Sequence, residues 1–197
     1  QRQMCIRDRR YSGGELCGKT AGIIGLGAIG QRVSSLCRAF GMNVLGYARH
    51  PKSVQGVEAV SLDELLARSD VVSIHVPATP ETRHMIGRQA FQKMKPSAVL
   101  VNTARGSVVH EEALIEALSD HQIAGACPDV FEAEPFSQAS WLRALLNVIL
   151  APYTAGDPDG VKLHEKQDSF FPAASGRHGA VKCPPTCSVS YTHLRAH

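Results

Sequence analysis

Residues 20–40 constrain this chain most. Residues 21–24, Ala-Gly-Ile-Ile, form a short apolar run of the length of a buried strand. The run leads directly into Gly25-Leu26-Gly27-Ala28-Ile29-Gly30. Beyond it Val33, Leu36, Cys37 and Phe40 recur at three- and four-residue spacing, which predicts one apolar face of a helix. A strand therefore ends in a glycine turn, and a helix begins inside that turn. Gly25 permits the tight bend, Gly27 leaves room for a diphosphate to approach bare backbone, and Gly30 lets the helix lie close on the strand. The free N–H groups and the dipole of the new helix face the anion. The pattern predicts dinucleotide binding over residues 25–30, Ala28 and Ile29 included; the alternative is a purely structural turn.

The ends of the chain read differently from its body. Residues 4–8 (Met-Cys-Ile-Arg-Asp) and 189–193 (Val-Ser-Tyr-Thr-His) can be encoded by opposite strands of one short DNA. Residues 1–9 and 189–197 are therefore expected to be translated adapter sequence, with the gene continuing on both sides. Arg2, Arg7, Arg9 and Arg195 against Asp8 account for the whole net charge of +3. The remaining body is formally neutral, so its charge points to neither nucleic acid nor a membrane surface. With 44% hydrophobic residues the chain can fill a core. No apolar run approaches the roughly twenty residues of a membrane span. Cys17, Cys37 and Cys127 fall at no metal-like spacing and are expected to be buried free thiols in a reducing cytoplasm.

Residues 10–156 alternate strand-like and helix-like segments. Strands are predicted over 43–47, 71–76, 98–102, 122–127 and 148–150. Helices are predicted over 61–69, 87–95, 111–118 and 141–146, with residues 49–56 a polar loop. Ser61 and Glu64 stand at capping-box spacing. Ala113, Leu114, Ile115 and Leu118 should form the buried face of their helix. Such alternation predicts an α/β fold, a Rossmann-type doubly wound parallel sheet with helices on both faces. Ligands in such sheets bind beyond the carboxyl ends of the strands. Attention therefore falls on residues 25–30, 48–50, 75–77, 102–106, 129–134 and 153–156. After Gly156 the alternation stops, and residues 157–188 read as a frameshift or a chimera.

Five segments occur in order: Gly18-Lys-Thr-Ala-Gly-Ile-Ile-Gly-Leu-Gly-Ala-Ile-Gly, Ser69-Asp-Val-Val-Ser-Ile-His-Val-Pro-Ala-Thr-Pro-Glu-Thr, Met94-Lys-Pro, Val101-Asn-Thr-Ala-Arg-Gly and Asp129-Val-Phe-Glu-Ala-Glu-Pro. Together they resemble the D-isomer-specific 2-hydroxyacid dehydrogenases over about residues 14–156. The resemblance implies the nucleotide-binding domain of such an enzyme, with the substrate domain missing. By position, Arg105 matches the arginine that binds the substrate carboxylate, a role suited to a forked, permanent cation. Glu134 matches the acid that orients the proton donor, and Asp129 the acid beside the nicotinamide. Thr82 and Thr103 are implied to line the cofactor site. His75 and Pro77 either shape its wall or, for His75, simply pack at a strand end. The implied partners are a small 2-keto or 2-hydroxy acid and a second copy of the full-length parent.

Three positions depart from the family pattern. The proton donor is a histidine after proline, whereas here Pro152 is followed by Tyr153. Histidine titrates near neutrality, while tyrosine, with a pKa near 10, is a poorer match to proton donation. His110 stands where the family has aspartate, a better helix cap. The second strand should end in an acid for the ribose 2′-hydroxyl, but reads Tyr47-Ala48-Arg49-His50. Arg49 there tilts the expected cofactor from NAD slightly toward NADP; otherwise it is a solvated loop cation. The expected function is hydride transfer on D-2-hydroxy or 2-keto acids by the parent, the present chain alone being inactive. The rival is an NAD(H)-sensing corepressor.

Overall fold

The computed structural model describes residues 14–50, 53–133 and 140–150, all within one compact unit of the chain. Its elements follow in order: β1 (Thr20–Ile24), α1 (Ala28–Ala39), β2 (Asn43–Tyr47), β3 (Glu58–Ala59), α2 (Leu62–Arg68), β4 (Val71–Ile74), α3 (Arg88–Lys93), β5 (Val99–Asn102), α4 (Glu111–Ser119) and β6 (Gly125–Pro128). Short 3₁₀ turns occupy Gly106–Val108 and Trp141–Ala144.

The strands form one sheet in the order β3-β2-β1-β4-β5-β6 with every pairing parallel. This is the doubly wound arrangement expected from the alternation. Successive residues of β1 serve opposite faces. Ile24 joins the larger core with Leu65, Leu66, Phe91, Leu114 and Leu118, whereas Ile23 joins a smaller core with Leu26 and Val44. Burial on both faces is why β1 and β4 read as near-continuous apolar runs.

At the amino ends of the strands, Asp70 ties three of them together. Its carboxylate accepts from the Thr20 backbone N–H at 2.8 Å and from the Lys95 ammonium at 2.9 Å. Its backbone continues the ladder, donating to the Thr20 carbonyl at 2.8 Å and accepting from the Val99 N–H at 3.0 Å.

Local chemistry sets the helix ends. The Ser61 hydroxyl accepts from the Glu64 N–H at 3.2 Å, capping α2. His110 caps α4, its Nδ1 accepting from the Ala113 N–H at 3.3 Å, so the ring fills the place of a capping aspartate.

The structure differs from the sequence reading at several points. In α1 the buried positions are Gly30 and Ser34, while Leu36 and Phe40 are 61% and 62% exposed. The helix lies too close to the sheet for large side chains, and the Ser34 hydroxyl satisfies itself on the Gly30 carbonyl at 2.7 Å. Val33 and Cys37 pack at the margin. In α4 the buried set contains Ala117 and leaves Ile115 at the edge. The segment 148–150 makes a single bridge, Ala126 to Val148, rather than a strand. The predicted helix at 141–146 is the shorter 3₁₀ turn. The two-residue β3 is too short to leave a periodic signal. Cys17 is exposed rather than buried, while burial pushes the Cys37 and Cys127 thiols up. Among the described residues, no helix is long and apolar enough to cross a membrane.

Candidate functional site

The glycine turn sits at the carboxyl edge of the sheet, where the chain crosses from β1 to opposite neighbours β2 and β4. Gly25 adopts φ +100°, a left-handed conformation, and a Cβ there would lie 2.5 Å from the His75 carbonyl oxygen. A Cβ on Gly30 would collide with the carbonyl of Gly25, so α1 is seated directly on the turn. Gly27 is the opposite case: a Cβ there would meet nothing within 4 Å. Gly27, Ala28 and Ile29 are all exposed. Gly27 is the N-cap of α1; no side chain caps it, and no acidic residue stands in the first turn. The open N-terminus of a twelve-residue helix is thus presented to solvent with its dipole uncompensated. Residues 25–30 fit a diphosphate on this geometry.

A cleft of about 370 Å³ opens beside this turn. Three strand ends supply its lining: Gly25 to Gly27 after β1, Tyr47 to His50 after β2, and His75 to Pro77 after β4. The loop beyond β4 adds Thr79, Glu81, Thr82 and Met85. Backbone bonds hold these ends in register, with the Gly25 N–H donating to the Tyr47 carbonyl at 2.8 Å and the His75 N–H to the Ile24 carbonyl at 2.7 Å. Arg49 is exposed at the rim. The His75 ring is half-buried with Nε2 2.9 Å from the Ser73 hydroxyl, and burial holds its pKa below the ordinary value. At neutral pH it is therefore an uncharged wall of the cleft.

Thr82 has more than a lining role. Its hydroxyl donates to the Pro77 carbonyl at 2.7 Å and accepts from the Thr79 N–H at 2.8 Å, closing the loop after β4 into a fixed turn.

The cleft does not include Thr103, Arg105 or Asp129, which lie farther along the same edge after β5 and β6. Arg105 is exposed, with Nη1 donating to the Ala104 carbonyl at 2.7 Å. Asn102, only 3% exposed, holds this turn from beneath. Its Oδ1 accepts from the Ala104 N–H at 3.1 Å and its Nδ2 donates to the Arg105 carbonyl at 3.0 Å. Asp129 is buried, and its N–H donates to the Asn102 carbonyl at 2.9 Å. Asn102 thereby connects the Arg105 and Asp129 turns, a positioning role that its place at a strand end could have signalled. Glu134 and Tyr153 lie outside the described residues.

Beside Asp129 the Glu132 carboxylate anchors the following loop. It pairs with His84 Nε2 at 2.5 Å and accepts from the Glu111 N–H at 3.3 Å. Burial works against the charged form, but these partners hold the carboxyl below its usual range.

Residues 1–155 match the family model described as D-isomer specific 2-hydroxyacid dehydrogenase, NAD binding domain. The chain belongs to the D-isomer-specific 2-hydroxyacid dehydrogenase family. It is 48% identical over 147 residues to a glyoxylate reductase of Aeropyrum pernix, covering 73% of this chain and 44% of that protein. It is 49% identical over 150 residues to a D-3-phosphoglycerate dehydrogenase of Methanocaldococcus jannaschii, covering 74% and 28%. Among solved structures, an acyclic imino acid reductase in complex with NADPH and D-Arg superposes with a TM-score of 0.70 at 34% identity, covering 75% and 47%. The chain thus spans less than half the length of each of these three proteins.

Proposed function

We propose that this chain is the nucleotide-binding part of an NAD(P)-dependent oxidoreductase acting on the CH–OH group of small D-2-hydroxy acids and the matching 2-keto acids. One observation carries the proposal: the unobstructed Gly27 turn and bare α1 N-terminus share a sheet edge with the turn bearing Arg105. The first suits a pyrophosphate and the second a substrate carboxylate. The nicotinamide, when bound, supplies the hydride chemistry. In this reading the backbone of residues 25–30 holds the diphosphate, with Ala28 and Ile29 at the helix start. His75, Pro77, Thr82 and Thr103 border the nucleotide, and Asp129 stands at its nicotinamide end. Arg105 fixes the substrate carboxylate and polarises the keto oxygen. Glu134 orients the proton donor, which position 153 provides. Tyr153 can fill that role only with its proton held more tightly than a histidine's.

The family membership supports an enzyme over the corepressor alternative. Reduction of glyoxylate or hydroxypyruvate by a cytoplasmic, homodimeric parent is the fuller form of the proposal. The chain by itself, spanning less than half the length of the curated relatives it matches, should bind nucleotide weakly and turn over nothing.

Titrating the purified 197-residue chain with NADH and NADPH, followed by nicotinamide fluorescence, tests the reading. Saturable binding is expected, and Gly27→Val should weaken it at least about tenfold because its side chain fills the phosphate approach. No binding of either nucleotide at millimolar concentration would overturn it.

A further inference from the structure

We propose that Glu81 is a second determinant of cofactor choice, a carboxylate supplied by the loop after β4 in place of the acid that β2 lacks, and that it selects against a ribose 2′-phosphate. The inference rests on the nucleotide reading of the cleft given above.

The end of β2 carries no acid. Tyr47, Ala48, Arg49 and His50 all line the cleft, and Arg49 taken alone would favour a 2′-phosphate. The opposite wall changes this balance. Glu81 lines the same cleft from the loop that Thr79 and Thr82 close into a turn. The Thr79–Thr82 bonds bracket Glu81, so the carboxylate is carried on a hydrogen-bonded turn. The Thr79 hydroxyl, Glu81's own backbone N–H and the charge of Arg49 keep this carboxyl below its ordinary pKa, so it is ionised at neutral pH.

Arg49 and Glu81 thus present opposite charges to one cleft. A 2′-hydroxyl is neutral and can donate to a carboxylate. A 2′-phosphate carries up to two negative charges, which Arg49 attracts and Glu81 repels. Glu81 also offsets the field of Arg49 before any nucleotide arrives. The expected discrimination is consequently set by the pair, and the NADP(H) preference suggested by Arg49 is reduced or reversed.

The test is the ratio of NADPH to NADH dissociation constants for the intact chain, measured by fluorescence titration at about 50 mM and about 500 mM salt. Glu81→Gln should tighten NADPH by about three- to tenfold at low salt, leave NADH within about twofold, and lose most of this effect at high salt. Glu81→Lys should move the ratio further the same way. Arg49→Ala should weaken NADPH alone. An unchanged ratio in both Glu81 variants, with nucleotide still bound and melting curves like wild type, would overturn the role of Glu81 while leaving the nucleotide site standing. Absence of any binding in the wild-type chain would overturn both.

Discussion

The Asn102 side chain donates to the Arg105 carbonyl at 3.0 Å, while its own oxygen accepts from the amide between them, that of Ala104. A buried amide therefore shapes the turn that presents an exposed guanidinium. Asn102→Ala removes both bonds and leaves backbone groups without these partners. We expect a loss of about 1–3 kcal/mol in urea unfolding. Asn102→Asp keeps the acceptor but sets a carboxylate oxygen against the Arg105 carbonyl in a buried place, and should recover none of that loss at pH 7.

The two ends of the glycine turn should respond oppositely to a methyl group. Gly30→Ala drives Cβ into the Gly25 carbonyl, which is backbone and cannot rotate away. Destabilisation of more than about 2 kcal/mol is expected, with a lowered melting temperature. Gly27→Ala points into open space and should melt within a few degrees of wild type. A melting curve for each variant decides the matter. Equal losses would mean that the turn does not divide its labour in this way.

The fold was legible because β1, β4 and β5 are short apolar runs rich in β-branched residues, set apart by helical segments and glycine or proline breaks. The buried face of α1 was not. Its contact with the sheet is made by Gly30 and Ser34, residues that apolar periodicity overlooks, while Leu36 and Phe40 match the helical spacing and yet face solvent. Within the site, Gly25, Gly27, Arg49, His75, Pro77 and Thr82 do share one cleft, since each follows a strand or its loop. Glu81 was given no site role, and Asn102, though inside the watched segment 102–106, was given no role of its own, for different reasons. Glu81 reaches the cleft only because the chain folds back between Thr79 and Thr82, and Asn102 acts through hydrogen bonds to a turn rather than through exposure.

Asp70 should make the chain acid-sensitive. Burial disfavours its charge, but the Thr20 N–H and the Lys95 ammonium outweigh this and hold the carboxyl below its usual range. A carboxyl depressed on folding contributes stability above its unfolded pKa, about 3.9, and loses it as pH falls through the folded value. Asp70→Asn should therefore cost about 1–2 kcal/mol at pH 7. Urea-unfolding free energies of the two proteins should converge below about pH 4. Parallel curves across that window would exclude Asp70 as the titrating group.

Two caps built from different side chains can be compared directly. Ser61→Ala removes the oxygen that receives the Glu64 N–H, and should cost about 1 kcal/mol. His110→Ala removes the ring nitrogen that receives the Ala113 N–H, and also an edge contact with the His84 ring at 4.6 Å between centroids. Its loss should be at least as large, about 1 kcal/mol or more. Denaturant midpoints for both variants provide the comparison.

The seating of α1 on the Gly25 carbonyl has a thermal consequence. Whatever loosens that helix also dismantles the anion cradle, so folding and ligand capture melt as one event. Occupancy of the turn should then be readable with nothing more than a thermometer, without any change in absorbance or fluorescence of the ligand itself.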